Sequence, residues 1–166
     1  RMLAASSAIS SSASWRPLYR NLWDSEVRVF SQWGEDGILN YLLDLANISK
    51  PCILEFGASN FNECNSRFAA EFRNASIYAV DMREDLVKNV EQLEIYWRNH
   101  IYPVQDIITP ASAVFHMSRA RKLMDRVDVL SIDLDGNDYW ILDALDLADA
   151  QIVICEYNPL YGSQRA

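Results

Sequence analysis

The amino-acid sequence predicts an α/β domain of the Rossmann-like class, with a mostly parallel sheet covered by helices on both faces. Short apolar runs typical of buried strands alternate with segments whose apolar residues recur every three or four positions. No Pro/Gly/Ser-rich linker interrupts this alternation. The 166 residues are 50% hydrophobic, which suffices for one core that buries roughly 70% of the unfolded surface. We therefore expect one domain over 28–166.

The N-terminal residues 1–27 are expected to form a flexible or partly ordered segment. Positions 4–14 hold only Ala, Ser and one Ile, and the first acidic residue is Asp24. Transit peptides and plain flexible tails share this composition, so both interpretations stay open.

The first predicted helix follows Ser31, a residue type that often caps helices, and ends before Pro51. Its buried face should carry Ile38, Leu42 and Leu45. The apolar run 52–56 that follows ends at Gly57 and is typical of a strand buried on both faces.

The second and third helices are predicted from apolar residues that recur at helical spacing. Asn60 and Asn62 should mark the start of the second helix, and a strand over 77–80 that stops at Asp81 should follow it. The second helix carries Cys64, Phe68 and Phe72, and the third carries Leu86, Val90, Leu93 and Trp97.

The remaining elements continue the alternation. Thr109-Pro110 predicts a helix start, because threonine caps well and proline at the first helical position loses no hydrogen bond. We expect strands over 101–104, 127–134 and 152–155, with helices from Thr109 and over 139–145.

Charge and cysteine content limit the partners of the protein. The 23 acidic and 15 basic residues give a formal charge of -8, which disfavours nucleic acids and anionic membrane surfaces. No apolar stretch approaches the roughly 18 residues of a membrane span. Three cysteines without a CxxC pair suit a reducing compartment, so we expect a cytoplasmic protein with buried thiols. Import into an organelle remains an open alternative.

The polar residues that end the predicted strands are the candidate ligand-binding groups, since open parallel sheets bind ligands there. With Gly57 as the first glycine of a dinucleotide fingerprint, the later glycine positions hold Ser59 and Asn62, which argues against a pyrophosphate ligand. Asp81 ends the second strand, where a carboxylate can bind ribose hydroxyls. Together these features favour S-adenosylmethionine, although Gly57 could serve the turn alone and Asp81 a helix start.

Four motifs also resemble the FkbM-type S-adenosylmethionine-dependent methyltransferases. They are SQWGEDGI (31–38), EFG (55–57), ECNS (63–66) and SIDLDGNDYW (131–140), and the resemblance covers about residues 28–160. It implies the class I methyltransferase sheet, with strand order 3-2-1-4-5 and the last two strands apparently missing from this chain. It also implies O-methylation of a small-molecule or saccharide hydroxyl.

The resemblance further implies which residues hold the cofactor. Glu55, Gly57 and Ser59 would contact its methionine part, Asp81 its ribose, and Asp106 with Ile107 its adenine edge. The expected cofactor-binding set is completed by Gln32, Ala58 and Met82.

The densest polar cluster follows the fourth strand. Asp133 is the first candidate for a general base that removes the acceptor proton, and Asp135 is the second. Asp133, Glu156 and Asn158 offer oxygen ligands for Mg²⁺. The alternative for this cluster is a solvated strand end that caps the next helix.

Two other functions compete with methyl transfer. One is a catalytically inactive methyltransferase-like module used for binding or assembly. The other is a haloacid-dehalogenase-type phosphatase with Asp133 as nucleophile and Asp135 as acid, which also needs a downstream lysine, whereas none follows Lys122.

The remaining histidines and tryptophans are predicted to be structural. His100 and His116 have no metal-ligand spacing. The tryptophans Trp33, Trp97 and Trp140 fall in predicted helices, where large aromatics are usually core residues, but Trp140 follows the acidic cluster and could line an acceptor pocket. The apolar strand 152–155 would form a sheet edge, so we expect a covering partner or self-association.

Overall fold

The structure, a computed structural model, describes residues 21–157 and contains five parallel strands. Most of the predicted N-terminal segment (1–20) and the predicted metal ligand Asn158 lie outside the described residues. The strands are β1 (Cys52–Phe56), β2 (Ser76–Asp81), β3 (Ile101–Gln105), β4 (Val129–Ile132) and β5 (Ile152–Cys155).

Five α-helices alternate with these strands, after a short 3-10 helix over Leu22–Ser25. They are α1 (Glu35–Leu45), α2 (Arg67–Arg73), α3 (Leu86–Glu91), α4 (Pro110–Met124) and α5 (Asp138–Ala144). None of the helices within residues 21–157 has the length and apolar character needed to cross a membrane.

The strand order is β3-β2-β1-β4-β5, which confirms the predicted Rossmann-like sheet. β1 lies in the centre, with Ile53 opposite Ile77 of β2 on one side and Val129 of β4 on the other. The order reverses between β1 and β4. The carboxyl ends of these two strands therefore flank the crevice in which such sheets bind ligands.

Two hydrophobic clusters cover the two faces of the sheet, as predicted. Alternate residues of β1 face opposite clusters, because successive side chains of a strand point to opposite sides. Ile53 packs with Leu43 of α1 and Leu86 of α3, whereas Leu54 packs with Met117 of α4 and Ile141 of α5.

The first helix begins later than predicted, and the predicted buried face is wrong. α1 starts at Glu35, not near Ser31, and its buried apolar residues are Leu39 and Leu43. Of the predicted face, Leu45 is 45% exposed, and Ile38 and Leu42 are only partly buried. The helix is rotated because Gly37 packs against the preceding chain, where a Cβ would come within 2.1 Å of the Ser25 carbonyl oxygen.

Two other predicted helices are also shorter in the structure. α2 begins at Arg67, so Asn60 and Asn62 do not mark its start, and Phe72 is 45% exposed. α3 ends at Glu91, and the chain then continues in tight turns, such as the hydrogen bond from Tyr96 N–H to Leu93 C=O. The turns bury Ile95 instead of Trp97.

The prediction that the tryptophans are core residues was wrong, whereas the cysteine prediction is confirmed. Trp33, Trp97 and Trp140 are 72%, 83% and 54% exposed. The cysteines Cys52 and Cys64 are buried, and Cys155 is partly buried.

The two sheet edges differ in how they are protected. β3 contains Pro103, which has no N–H to offer to another strand. The outer side of β5 is unpaired within the described chain, and Val153 is 41% exposed there. An apolar strand edge of this kind pairs readily with another chain.

We expect the 166-residue chain to self-associate through β5. Light scattering should give a mass above the monomer value of 19.0 kDa that falls on dilution. Val153→Lys should shift the mass toward the monomer, because a charged edge resists pairing. As a control, Val114→Lys on α4 changes a similarly exposed valine away from the sheet edge and should have no effect. A wild-type monomer at all concentrations would refute the prediction.

Candidate functional site

The loop after β1 reaches across the end of β2. The N–H groups of Gly57 and Ala58 donate to the Val80 carbonyl oxygen, at 2.9 and 3.4 Å. The Ser59 N–H donates to the Asp81 carboxylate at 2.7 Å. These bonds bring together four predicted cofactor residues at the carboxyl ends of the strands: Gly57, Ala58, Ser59 and Asp81. Ala58 is fully buried, backbone included, so it shapes the loop and offers no surface to a ligand.

Gly57 also lets the loop after β1 touch the end of β4. Its φ is +85°, and a Cβ at this position would lie 1.7 Å from the Asp133 carbonyl oxygen. The Asp133 N–H in turn donates to Phe56 C=O at 3.0 Å. The turn therefore requires glycine, and this requirement places the predicted catalytic residue beside the predicted cofactor loop.

Glu55 faces inward, toward the segment that leads into α2. Its carboxylate accepts hydrogen bonds from the N–H groups of Asn65 and Ser66 and from the Ser66 hydroxyl. It is 1% exposed, and burial raises its pKa although these hydrogen bonds act in the opposite direction. Glu55 thus fixes the position of the ECNS motif. The side-chain amide of Asn65, within this motif, donates a hydrogen bond to the Ser131 hydroxyl oxygen of β4 at 3.1 Å.

Asp81 uses both carboxylate oxygens to hold the neighbouring loops. Besides the bond from Ser59, its other oxygen accepts the Arg83 N–H at 2.9 Å. α3 begins only at Leu86, so Asp81 does not cap that helix. Ser59 has a φ of +50°, a conformation that glycine adopts more easily. Met82, another predicted cofactor residue, is 71% exposed next to Asp81.

Asp106 and Ile107 follow β3, also at the carboxyl ends of the strands. The Asp106 N–H donates to Asp81 C=O at 2.9 Å, so the ends of β2 and β3 are directly linked. Ile107 is 67% exposed. The predicted helix start at Thr109 is confirmed, because its hydroxyl oxygen accepts the Ser112 N–H as α4 begins.

Gln32 lies on a loop that two acidic residues shape. Asp36 accepts the N–H groups of residues 29–31, at 2.7, 2.6 and 2.9 Å. Glu35 accepts those of Trp33 and Gly34. Gln32 itself is exposed, and among the described residues its side chain makes no hydrogen bond to the end of β1. The SQWGEDGI motif therefore has a clear structural role.

The acidic cluster brings three carboxylates together. Asp133, Asp135 and Glu156 are exposed, and each has an oxygen within 4.8 Å of the other two. Glu156 also accepts the Asp135 N–H at 3.1 Å. The structure thus groups two of the predicted metal ligands, Asp133 and Glu156, and adds Asp135.

The loop that carries the acidic cluster is held by Asp138. Its two oxygens accept the N–H groups of Leu134 and Gly136, at 2.9 and 3.0 Å. The N-cap residue Asn137 makes no side-chain capping bond, so the capping part of the alternative is not seen, whereas the exposed carboxylates still fit a solvated strand end.

Asp133 has the most distinctive electrostatics of the cluster. Partial shielding from water, followed by the nearby charges of Glu156, Asp135, Asp138 and Glu55, raises the pKa of the solvent-accessible Asp133 carboxyl to about 6. A carboxyl group with a raised pKa is a stronger base, and general bases work best when their pKa is near the operating pH. The structure therefore places a carboxylate able to accept a proton at the carboxyl ends of β1 and β4, where sheets of this class bind ligands.

Sequence reasoning missed the role of one histidine. His116 was predicted to be structural, and it is buried, but its Nε2 lies 2.9 Å from the Asp106 carboxylate. Its other ring nitrogen contacts the Tyr78 hydroxyl, 38 positions away. The only available sequence signal was His116 on the inward face of a helix that begins beside Asp106.

Comparison of the chain with protein-family models, with curated proteins and with solved structures finds no match. The strand order and parallel sheet consequently establish a Rossmann-like α/β fold and no specific function. The chemistry has to be argued from the site.

Proposed function

We propose that this chain is an S-adenosylmethionine-dependent methyltransferase that acts on a hydroxyl group of a small molecule or saccharide. The four FkbM-like motifs support this function, and two of them supply the loops after β1 and β4 that meet at the crevice. The acidic residue at the end of β2 favours a nucleoside without a ribose phosphate.

The observation that carries the proposal is the linked set of strand ends from β1 to β3. The Ser59 N–H binds the Asp81 carboxylate, and the Asp106 N–H binds the Asp81 carbonyl oxygen. A ribose at Asp81 and an adenine at Asp106 would therefore lie on neighbouring strands. The exposed side chains of Met82 and Ile107 offer apolar surface for the adenine ring.

Asp133 is proposed to act on the acceptor. Methyl transfer from a sulfonium is an in-line displacement, so the protein contributes mainly by positioning the acceptor and removing its hydroxyl proton. The backbone of Asp133 touches Gly57 of the proposed cofactor loop. An acceptor hydroxyl bound at the Asp133 carboxylate would thus lie near the cofactor.

Calorimetric titration with S-adenosylmethionine and S-adenosylhomocysteine tests the cofactor. We expect saturable binding of one molecule per chain. Absence of binding to folded protein would reject the methyltransferase and the adenosine-binding module together.

Replacing Asp81 should weaken cofactor binding. Asp81→Ala removes charge-assisted hydrogen bonds to a ribose, worth about 1.5 to 3 kcal/mol, which corresponds to a roughly tenfold to hundredfold higher dissociation constant. Asp85→Ala is the matched control, because Asp85 is a nearby acid whose side chain pairs with Arg83. An unchanged constant in folded Asp81→Ala would remove this residue from the site.

The acidic cluster is proposed to bind Mg²⁺ through Asp133, Asp135 and Glu156. Three converging carboxylates suit a hard cation that prefers oxygen ligands. Because Asp133 has a pKa of about 6, its protonation at lower pH should compete with the cation.

We expect Mg²⁺ affinity to fall between pH 7.5 and 5 by about tenfold per pH unit once Asp133 protonates. Calorimetry with MgCl₂ at the two pH values measures this change, and Asp135→Asn should weaken binding at both. Methyl transfer that survives a chelator would show that the cation is not needed for the reaction.

A non-catalytic binding module is the second candidate. It is favoured by Ser59, which adopts a left-handed conformation that suits glycine in the loop proposed to hold the cofactor. Such a module would bind S-adenosylhomocysteine but transfer no methyl group to any acceptor in a screen with radiolabelled cofactor. Transfer to any hydroxyl acceptor would exclude it.

A further inference from the structure

His116 connects the protein core to the adenine side of the candidate site. Its side chain is 2% exposed, whereas the Asp106 side chain that it contacts is 47% exposed. The ring nitrogens lie 3.1 Å from the Tyr78 hydroxyl and 2.9 Å from the Asp106 carboxylate. The buried pair of Tyr78 and His116 therefore holds the Asp106 carboxylate, which is accessible to a ligand.

The hydrogen-bond partners determine the tautomer of the His116 ring. The hydrogen bond from His116, and next the one from the Ile107 N–H, lower the pKa of Asp106, so its carboxylate can only accept. His116 Nε2 must then carry the hydrogen. In the neutral ring Nδ1 is then an acceptor, and the buried Tyr78 hydroxyl donates to it.

The Asp106 carboxylate is fixed at both oxygens. One accepts from His116, and the other accepts the Ile107 N–H at 2.8 Å. The backbone is fixed as well, since the Asp106 N–H donates to Asp81 C=O. Each carboxylate oxygen has a second lone pair, so the exposed side of the group can still accept from a ligand.

We propose that His116, held by Tyr78, is a positioning residue that makes Asp106 select a 6-amino purine. This inference rests on the proposed function, which places adenine at Asp106. The 6-amino group of adenine donates hydrogen bonds, which a fixed carboxylate accepts. The oxygen of a 6-oxo purine is an acceptor and would repel the Asp106 carboxylate oxygen, which is also an acceptor. A carboxylate that cannot rotate could not relieve this repulsion.

The test compares two double variants in which the Tyr78 hydroxyl is removed, so that no buried hydroxyl loses its partner. Tyr78→Phe with His116→Gln keeps a donor near the position of Nε2. Tyr78→Phe with His116→Met has similar volume but no donor. Calorimetry with S-adenosylhomocysteine and its 6-oxo counterpart, S-inosylhomocysteine, measures the preference of each protein.

We expect the wild type and the glutamine variant to prefer the adenosine compound by about tenfold or more, and the methionine variant to lose this preference. Full preference in a folded methionine variant would overturn the inference and leave the proposed function intact. A wild type that binds neither compound would reject the proposed function, and this inference with it.

A measurement on the wild type covers the case in which the variants do not fold. Nitrogen-15 NMR of the histidine rings distinguishes the two tautomers of His116 without any ligand. We expect the hydrogen on Nε2. A neutral ring with its hydrogen on Nδ1 would overturn the inference, because Nε2 would then have no hydrogen to donate to the Asp106 carboxylate.

Discussion

Asp133→Asn should lower the rate of methyl transfer by about a hundredfold or more, while the affinity for S-adenosylmethionine changes little. The asparagine keeps the shape of the side chain but cannot accept the acceptor proton. The pH profile adds a second readout. Because the pKa of Asp133 is about 6, the wild-type rate should fall tenfold per pH unit below 6 and level off above it.

The same variant should become more stable at neutral pH. A carboxyl group whose pKa is raised by folding stabilises the fold below its unfolded pKa and loses that contribution as pH rises through about 6. Asp133→Asn removes the repelled charge, so its Tm should exceed that of the wild type at pH 7 but not at pH 4. Equal losses of rate and cofactor affinity would instead make Asp133 part of the cofactor pocket.

Gly57→Ala should both destabilise the protein and abolish cofactor binding. Alanine at a φ of +85° costs roughly 1–2 kcal/mol. Overlap of its Cβ with the Asp133 carbonyl oxygen, only 1.7 Å away, adds about 1–3 kcal/mol as the strands separate. The sum corresponds to a Tm lower by roughly 5–15 °C.

Gly136→Ala separates the cost of the backbone conformation from the cost of the atomic overlap. Gly136 also has a positive φ, of +130°, but a Cβ there would meet no atom within 4 Å. It should therefore lose stability only through backbone conformation and keep cofactor affinity. Gly57→Ala with normal Tm and normal affinity would show that the loops after β1 and β4 separate easily, which would contradict the close contact described above.

The fold was predictable where local signals were sufficient. The apolar run of β1 and the cap at Thr109 are set by neighbouring residues, and both predictions are confirmed. The end of α3 was not predictable, because Leu93 and Trp97 continue the apolar face of Leu86 and Val90 at helical spacing, whereas Ile95 would point to the opposite side. In the structure the chain leaves the helix after Glu91 and forms tight turns that bury Ile95.

The candidate site was predictable as a set of strand ends but not in its hydrogen bonding. Asp81 and Asp133 were recognised from their positions after apolar runs, and Asp106 was expected from the resemblance to FkbM-type methyltransferases. The inward orientation of Glu55 depends on the segment before α2, and the link between His116 and Tyr78 joins distant parts of the chain. Contacts of this kind form only after the sheet has assembled, so spacing along the chain does not reveal them.

The central position of β1 has a consequence for the order in which the chain folds. Ile53 pairs with Ile77, 24 positions later, and with Val129, 76 positions later. Loop-closure entropy grows with the logarithm of loop length, so the second pairing costs about 1 kcal/mol more than the first. On a growing polypeptide, β1 and β2 can meet early, while the β4 side of β1 waits for most of the domain to be synthesised. The contact between Gly57 and Asp133 lies at this late junction, so the proposed acceptor side of the site is completed after the strand ends that would hold the cofactor.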